Sequence, residues 1–167
     1  VKKHHIENGG ISRFDKIPLY LKWSNVAPTS VIVDDMCTKF SMIVKNKVIN
    51  SAWVPGVEEF FRTNKGIYIF IMVSATPQNE LKGICNSLKL DEFFSKIYGS
   101  PTTKSDLIKT SMRDYGVPAD ACLMIGDAQT DMDAAEDNNI SFIFRRHQHN
   151  KNLNIESKIQ IIRDFIF

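Results

Sequence analysis

With 167 residues, 43% of them apolar and 24% charged, the chain has enough apolar material for one real core and no low-complexity tract. Its 21 basic and 19 acidic residues leave a net charge of +2, which argues against a nucleic-acid or anionic-membrane binder. No apolar run reaches the ~18 residues of a membrane span, and the opening VKKHHIENGG holds no hydrophobic segment that could act as a signal peptide.

That opening reads as polar helix. His4 and His5 would point about 100° apart on it, so a solvated or packing role suits them better than metal ligation. Further on, Met36, Phe40, Ile43, Val44 and Val48 recur at helical spacing, which predicts a helix with Asp34 and Asp35 at its start, where carboxylates cap free amides. Val54-Pro55-Gly56 breaks the chain, and 57–62 can form a short helix. Trp23 and Trp53 are assigned to core or interface positions.

The clearest strand is IYIFIMVS, Ile67 to Ser74, apolar almost throughout, as a strand covered on both faces should be. Pro77 suits the first turn of a following helix that buries Leu81, Ile84, Cys85 and Leu88. SPTTKSDLIKTSMRDYG predicts a second helix with Gly116 at its stop. ACLMIGD is a further buried strand, TDMDAAEDNN a helix and ISFIF a third strand. The tail, SKIQIIRDFIF, is apolar enough to pack on a sheet but has no assignable state. The order predicts an α/β fold with a doubly wound parallel sheet. Three scattered cysteines, Cys37, Cys85 and Cys122, are too few for a disulfide framework or zinc site and read as reduced thiols suited to the cytosol. The longest basic cluster, Arg145-Arg146-His147, is short.

In such a sheet, ligands bind beyond the carboxyl ends of the strands. Ser74, Ala75 and Thr76 stand at one such end and could offer a hydroxyl and free amides to a phosphate oxygen, although turn chemistry alone would also place a serine there. Asp127 stands at another, after Gly126, with Asp131 four positions on. Two converging carboxylates suit a hard cation such as Mg²⁺; the plainer alternative is that Asp127 caps a helix and Asp131 and Asp133 line its solvated face. Lys104 opens a helix, where the dipole does not favour a cation, so it can be there to meet an anion.

Taken in order, these motifs resemble the haloacid dehalogenase superfamily of phosphohydrolases. IMVSAT matches its second motif at Ser74, GSPTTK its third at Lys104, and GDAQTDMDAA its fourth, a likeness covering about residues 53–150. HHIENGGISRFDK looks like the helical cap of the subgroup related to phosphoglycolate phosphatase and β-phosphoglucomutase, and VPGVEEFF looks like the return from cap to core. The resemblance implies a partial helical cap over residues 1–52 and a Rossmann-like core over 53–167. It implies a Mg²⁺-dependent phosphatase acting on a small phosphorylated metabolite through an aspartyl-phosphate. Ser74 would hold the phosphoryl group, Lys104 would offset its charge, Asp127 would bind metal, and Asp131 would be second ligand or support. Arg13 would reach from the cap to an anionic substrate end or else form a structural ion pair.

The family's first motif, an apolar strand ending Asp-x-Asp-x-Thr, has no good match. Val31-Ile32-Val33 precede Asp34, and Thr38 stands four positions after it, but Met36 replaces the second acid, the helical stripe begins at once, and the cap-like GGISRF lies before it. Asp34 is therefore read as part of a cap helix, and the sheet is expected to lack its central strand, supplied by a segment outside these residues. Two alternatives remain open: an inactive relative that binds phosphate or a partner, and a phosphomutase.

Overall fold

The computed structural model describes residues 1–166. Three helices come first: α1 (Lys2–Glu7), α2 (Arg13–Trp23) and α3 (Ser30–Ile49). Ser12 caps α2 by accepting from the Phe14 amide, and Thr29 caps α3 by accepting from the Ile32 amide. The second cap corrects the sequence reading. Because α3 starts at Ser30, Val31-Ile32-Val33 is helical, and Asp34 and Asp35 lie a turn inside rather than at the cap. Both are exposed; Asp35 pairs with Lys39 at 2.7 Å, and the Asp34 carbonyl accepts from the Thr38 hydroxyl at 2.8 Å. His4 and His5 pack: His4 meets the Tyr20 hydroxyl at 3.1 Å and crosses Trp23 edge-on at 5.0 Å. Trp23 and Trp53 are 50% and 39% exposed, so of the core and interface positions expected for them, the core is excluded.

After Gly56, whose φ of +77° needs glycine, α4 (Val57–Asn64) carries Phe60 and Phe61 into an aromatic cluster with Phe70, Phe93, Phe94 and Phe165. The first strand, β1 (Phe70–Pro77), starts later and runs further than Ile67–Ser74, and α5 (Gln78–Ser87) buries Leu81, Ile84 and Cys85 as expected, whereas Leu88 follows the helix and is only half-buried. Pro77 is the residue before that helix rather than its first turn.

Next comes β2 (Phe94–Ser100), which the sequence did not reveal, paired parallel to β1 with Phe70 opposite Phe94 and Val73 opposite Tyr98. A side chain on Gly99 would stand 2.4 Å from the Thr76 carbonyl, so only glycine lets the strand ends close. Gln78 clasps them: its Oε1 accepts from the Gly99 amide at 2.6 Å, and its Nε2 donates to the Ile97 carbonyl at 2.9 Å. Then follow α6 (Lys104–Tyr115), stopped by Gly116 at φ +62°, β3 (Leu123–Gly126), α7 (Gln129–Asp137) and β4 (Ser141–Arg145). The tail supplies a short strand, β5 (Gln160–Ile162).

Every strand pair is parallel and flanked by helices, an α/β Rossmann-like arrangement. The strands form two sheets, β1-β2 and β3-β4-β5. Between β1 and β3 runs a cleft of 2760 Å³, lined by Ile71, Met72 and Val73 on one side and by Leu123, Met124 and Ile125 on the other. α6 packs against both β1 and α7, tying the two halves together.

Candidate active site

The polar end of this cleft lies at the carboxyl ends of β1 and β3, where an open α/β sheet places its ligands. Gly126 ends β3, and a side chain there would stand 2.5 Å from Asp131 Cβ. That close approach lets Asp131, 6% exposed in the first turn of α7, fold back on the loop: its Oδ2 accepts from the Asp127 and Ala128 amides, each at 3.0 Å. The carboxylate thus satisfies two amides at a helix start. Its Oδ1 pairs with the Lys104 ammonium, which also reaches Thr130 Oγ1 at 3.2 Å. Lys104 is the first residue of α6, after the Thr103 cap, so Asp131 offsets a cation that the α6 dipole disfavours. Asp131, not Asp127, is therefore the helix-capping acid.

Asp127 is half-exposed and faces the cleft. Its Oδ2 lies 3.2 Å from His147 Nε2, while His147 Nδ1 accepts from the His149 amide at 3.2 Å. With Nδ1 accepting, the proton sits on Nε2 and is donated to Asp127, a tautomer assigned from these bonds. Beneath them is Asn150, 6% exposed. Its Nδ2 donates to the Asp127 and Arg145 carbonyls at 2.8 and 2.9 Å, and its Oδ1 accepts from the His147 amide at 2.7 Å. Sequence reasoning noted His147 only as part of a basic cluster and passed over Asn150. The one available signal was polar RRHQHN directly after an apolar strand.

On the opposite wall, Ser74 Oγ accepts from the Thr76 amide and meets the Thr76 hydroxyl, both at 3.1 Å. The β1–β2 register shifts between Val73 and Pro77, so Ser74, Ala75 and Thr76 form an irregular strand end facing the cleft. Arg13 also borders the cleft, but its guanidinium is committed. It grips Glu80 of α5 at 2.7 and 2.9 Å, donates to Ser41 of α3 and lies over the Phe40 ring at 4.7 Å. Of the two roles open for it, the structural ion pair is formed. The loop between α1 and α2 comes close as well, since a side chain on Gly10 would meet Thr130 Oγ1 at 2.0 Å.

For a divalent cation, the donor set is partial. Asp127 has lone pairs to spare, whereas both Asp131 oxygens are occupied, and no group of three or more metal-ligating side chains occurs among the described residues. One carboxylate fits Mg²⁺, which keeps several waters and takes substrate oxygens. Asp131 fits as support for that loop.

The sequence profile described as haloacid dehalogenase-like hydrolase matches residues 12–144. No curated protein matches the chain. Among solved structures, a predicted phosphoglycolate phosphatase from Haemophilus somnus superposes with a TM-score of 0.79 at 20% identity, covering 99% of this chain and 79% of the other. CbbY from Rhodobacter sphaeroides in complex with xylulose-(1,5)bisphosphate gives 0.79 at 14% identity, over 94% and 75% of the two chains. β-Phosphoglucomutase from Clostridium difficile gives 0.77 at 18%, over 99% and 76%. At such identities the superpositions speak for the fold, and the profile match speaks for the family. The chain belongs to the haloacid dehalogenase-like hydrolases.

Proposed function

We propose that the chain is a Mg²⁺-dependent phosphohydrolase for a small phosphorylated metabolite, with residues 1–52 as a partial helical cap and 53–167 as the core. The observation that carries this reading is the Lys104–Asp131 pair set beside Asp127 and across one cleft from Ser74. Mg²⁺, when bound at Asp127, would offset phosphoryl charge and orient its oxygens. Ser74 turns its hydroxyl from Thr76 to a phosphoryl oxygen, and the Ala75 and Thr76 amides lie beside it. Lys104 supplies a fixed cation to the same group, held in place by Asp131. Asn150 and His147 position Asp127. The carboxylate that attacks phosphorus in this reading belongs to polypeptide beyond the described residues, since α3 holds Asp34 on an exposed helix face. Chromogenic phosphate ester hydrolysis by a polypeptide that includes that carboxylate tests the reading: turnover should require Mg²⁺ and fall by about 10²–10³ in Lys104→Met, the loss typical of a charge-stabilising donor, and Asp127→Asn should abolish it.

A second reading, an inactive phosphate- or partner-binding relative, is favoured by the occupied oxygens of Asp131 and the incomplete donor set. It predicts phosphate binding without turnover at any Mg²⁺ concentration. A phosphomutase would use the same residues; transfer of phosphate within a sugar phosphate, rather than its release, would identify it.

A further inference from the structure

We infer that Lys16 sets a preference for substrates that carry a second anionic group, a carboxylate or a phosphate, besides the phosphoryl group that reacts. The inference rests on the phosphohydrolase reading for the reacting group and adds a subsite to it.

Charge balance is the first support. Arg13 and Lys16 stand three positions apart on one side of α2 and are 8% and 6% exposed. Glu80 answers the Arg13 charge at 2.7 and 2.9 Å, so Arg13, the sequence candidate for an anionic substrate end, is spent. Lys16 has no such answer. Its ammonium donates to the Asn8 carbonyl at 3.0 Å, and no carboxylate pairs with it among the described residues. An ammonium has donors to spare after one such bond. A buried charge without a counter-charge is costly, and an anion arriving from the cleft would relieve that cost.

The surroundings sharpen the demand. Burial, then the Arg13 charge, holds Lys16 below the ordinary lysine value, and the Lys16 charge in turn helps to lower His5. His5, Arg13 and Lys16 all border the cleft, while Glu7 on α1 turns to the exposed Lys3 at 3.9 Å. The local field is therefore positive at a point where the wall is open to a small molecule.

Placement ties this point to the reacting end. Asn8 closes α1, and two positions on Gly10 lies against Thr130, whose hydroxyl accepts from Lys104. One short loop thus joins the two lysines along a single cleft. Lys104 meets the phosphoryl group that reacts, and Lys16 meets the other end of the same molecule. A lysine is a compact point charge with rotatable donors, so a carboxylate and a phosphate both suit it, whereas a hydroxyl leaves the charge unbalanced.

The test uses three probes built on one four-carbon chain, with phosphate at one end and phosphate, carboxylate or hydroxyl at the other. Thermal-shift titrations of the 167-residue chain with Mg²⁺ present should give a Kd about ten- to a hundredfold lower for a doubly anionic probe than for the hydroxyl-ended one. Whichever anionic end gives the larger preference names the group. Lys16→Gln should erase the preference, and Lys16→Arg should keep part of it. A purely structural lysine would instead lower the melting temperature in Lys16→Gln and leave the preference standing, which overturns the inference. Equal affinity for all three probes, or none, overturns it in the native chain without any variant. With a polypeptide that includes the attacking carboxylate, the same ranking should appear in kcat/KM. Hydrolysis of all three probes at one kcat/KM keeps the phosphohydrolase reading and loses the subsite, whereas ranked binding without hydrolysis keeps the subsite and loses the reaction.

Discussion

Arg13 and Glu80 share a bidentate contact with both side chains nearly sealed from solvent, at 8% and 9% exposure. Removing one partner of such a pair strands the other charge, so Arg13→Ala should lower unfolding free energy by about 3–5 kcal/mol in urea titrations. Arg13→Gln/Glu80→Gln together should recover part of that loss. Gly126→Ala presents a different case: its methyl would press on Asp131. The expected result is a fall in phosphatase turnover well beyond any change in melting temperature, because the displaced carboxylate releases Lys104. The thiols are a quieter test. Burial raises Cys37 and Cys85 above the ordinary thiol range, so neither should be alkylated at neutral pH until the chain unfolds.

Among elements, the attachment of α1 is expected to depend on pH. Burial, then the nearby Lys16 and His4 charges, holds His5 below the ordinary imidazole value of 6.5. A depressed histidine favours its neutral form when folded, so its contribution is complete above pH 6.5 and is lost as pH falls through the lower folded value. Urea midpoints should therefore drop between about pH 7 and 5, and His5→Gln should flatten that drop. The elements also differ in how plainly they are written. α5 and α6 could be read directly, because Leu81, Ile84 and Cys85 fall on one helical face and Gly116 marks a stop. β2 could not: Ser95 and Lys96 are exposed polar residues in its first half, and its pairing depends on Gln78, far off in sequence. α3 shows the opposite difficulty. Val31-Ile32-Val33 looks like the end of a strand, and Thr29 with the packing of α3 on α2 and α5 makes it a helix.

For the whole molecule, the motif residues Ser74, Lys104, Asp127 and Asp131 were visible as polar positions at element ends, and the structure brings them to one cleft. Their division of labour was not visible. That Asp131 would face amides and a lysine, while Asp127 faces His147, depends on the turn at Gly126 and on bonds from Asn150, a residue with no periodic or motif signal. The loop carrying Asn150 follows β4, so its contribution is decided by tertiary closure rather than by local pattern.

The separate sheets also bear on how the molecule unfolds. β1-β2 and β3-β4-β5 share no hydrogen-bond ladder and communicate chiefly through α6, so each half can open at its own free energy. Calorimetry of this chain alone should give a van't Hoff enthalpy smaller than the calorimetric one, the mark of more than one cooperative unit. A ligand that bridges the two halves across the cleft would couple them, and the two enthalpies should then converge.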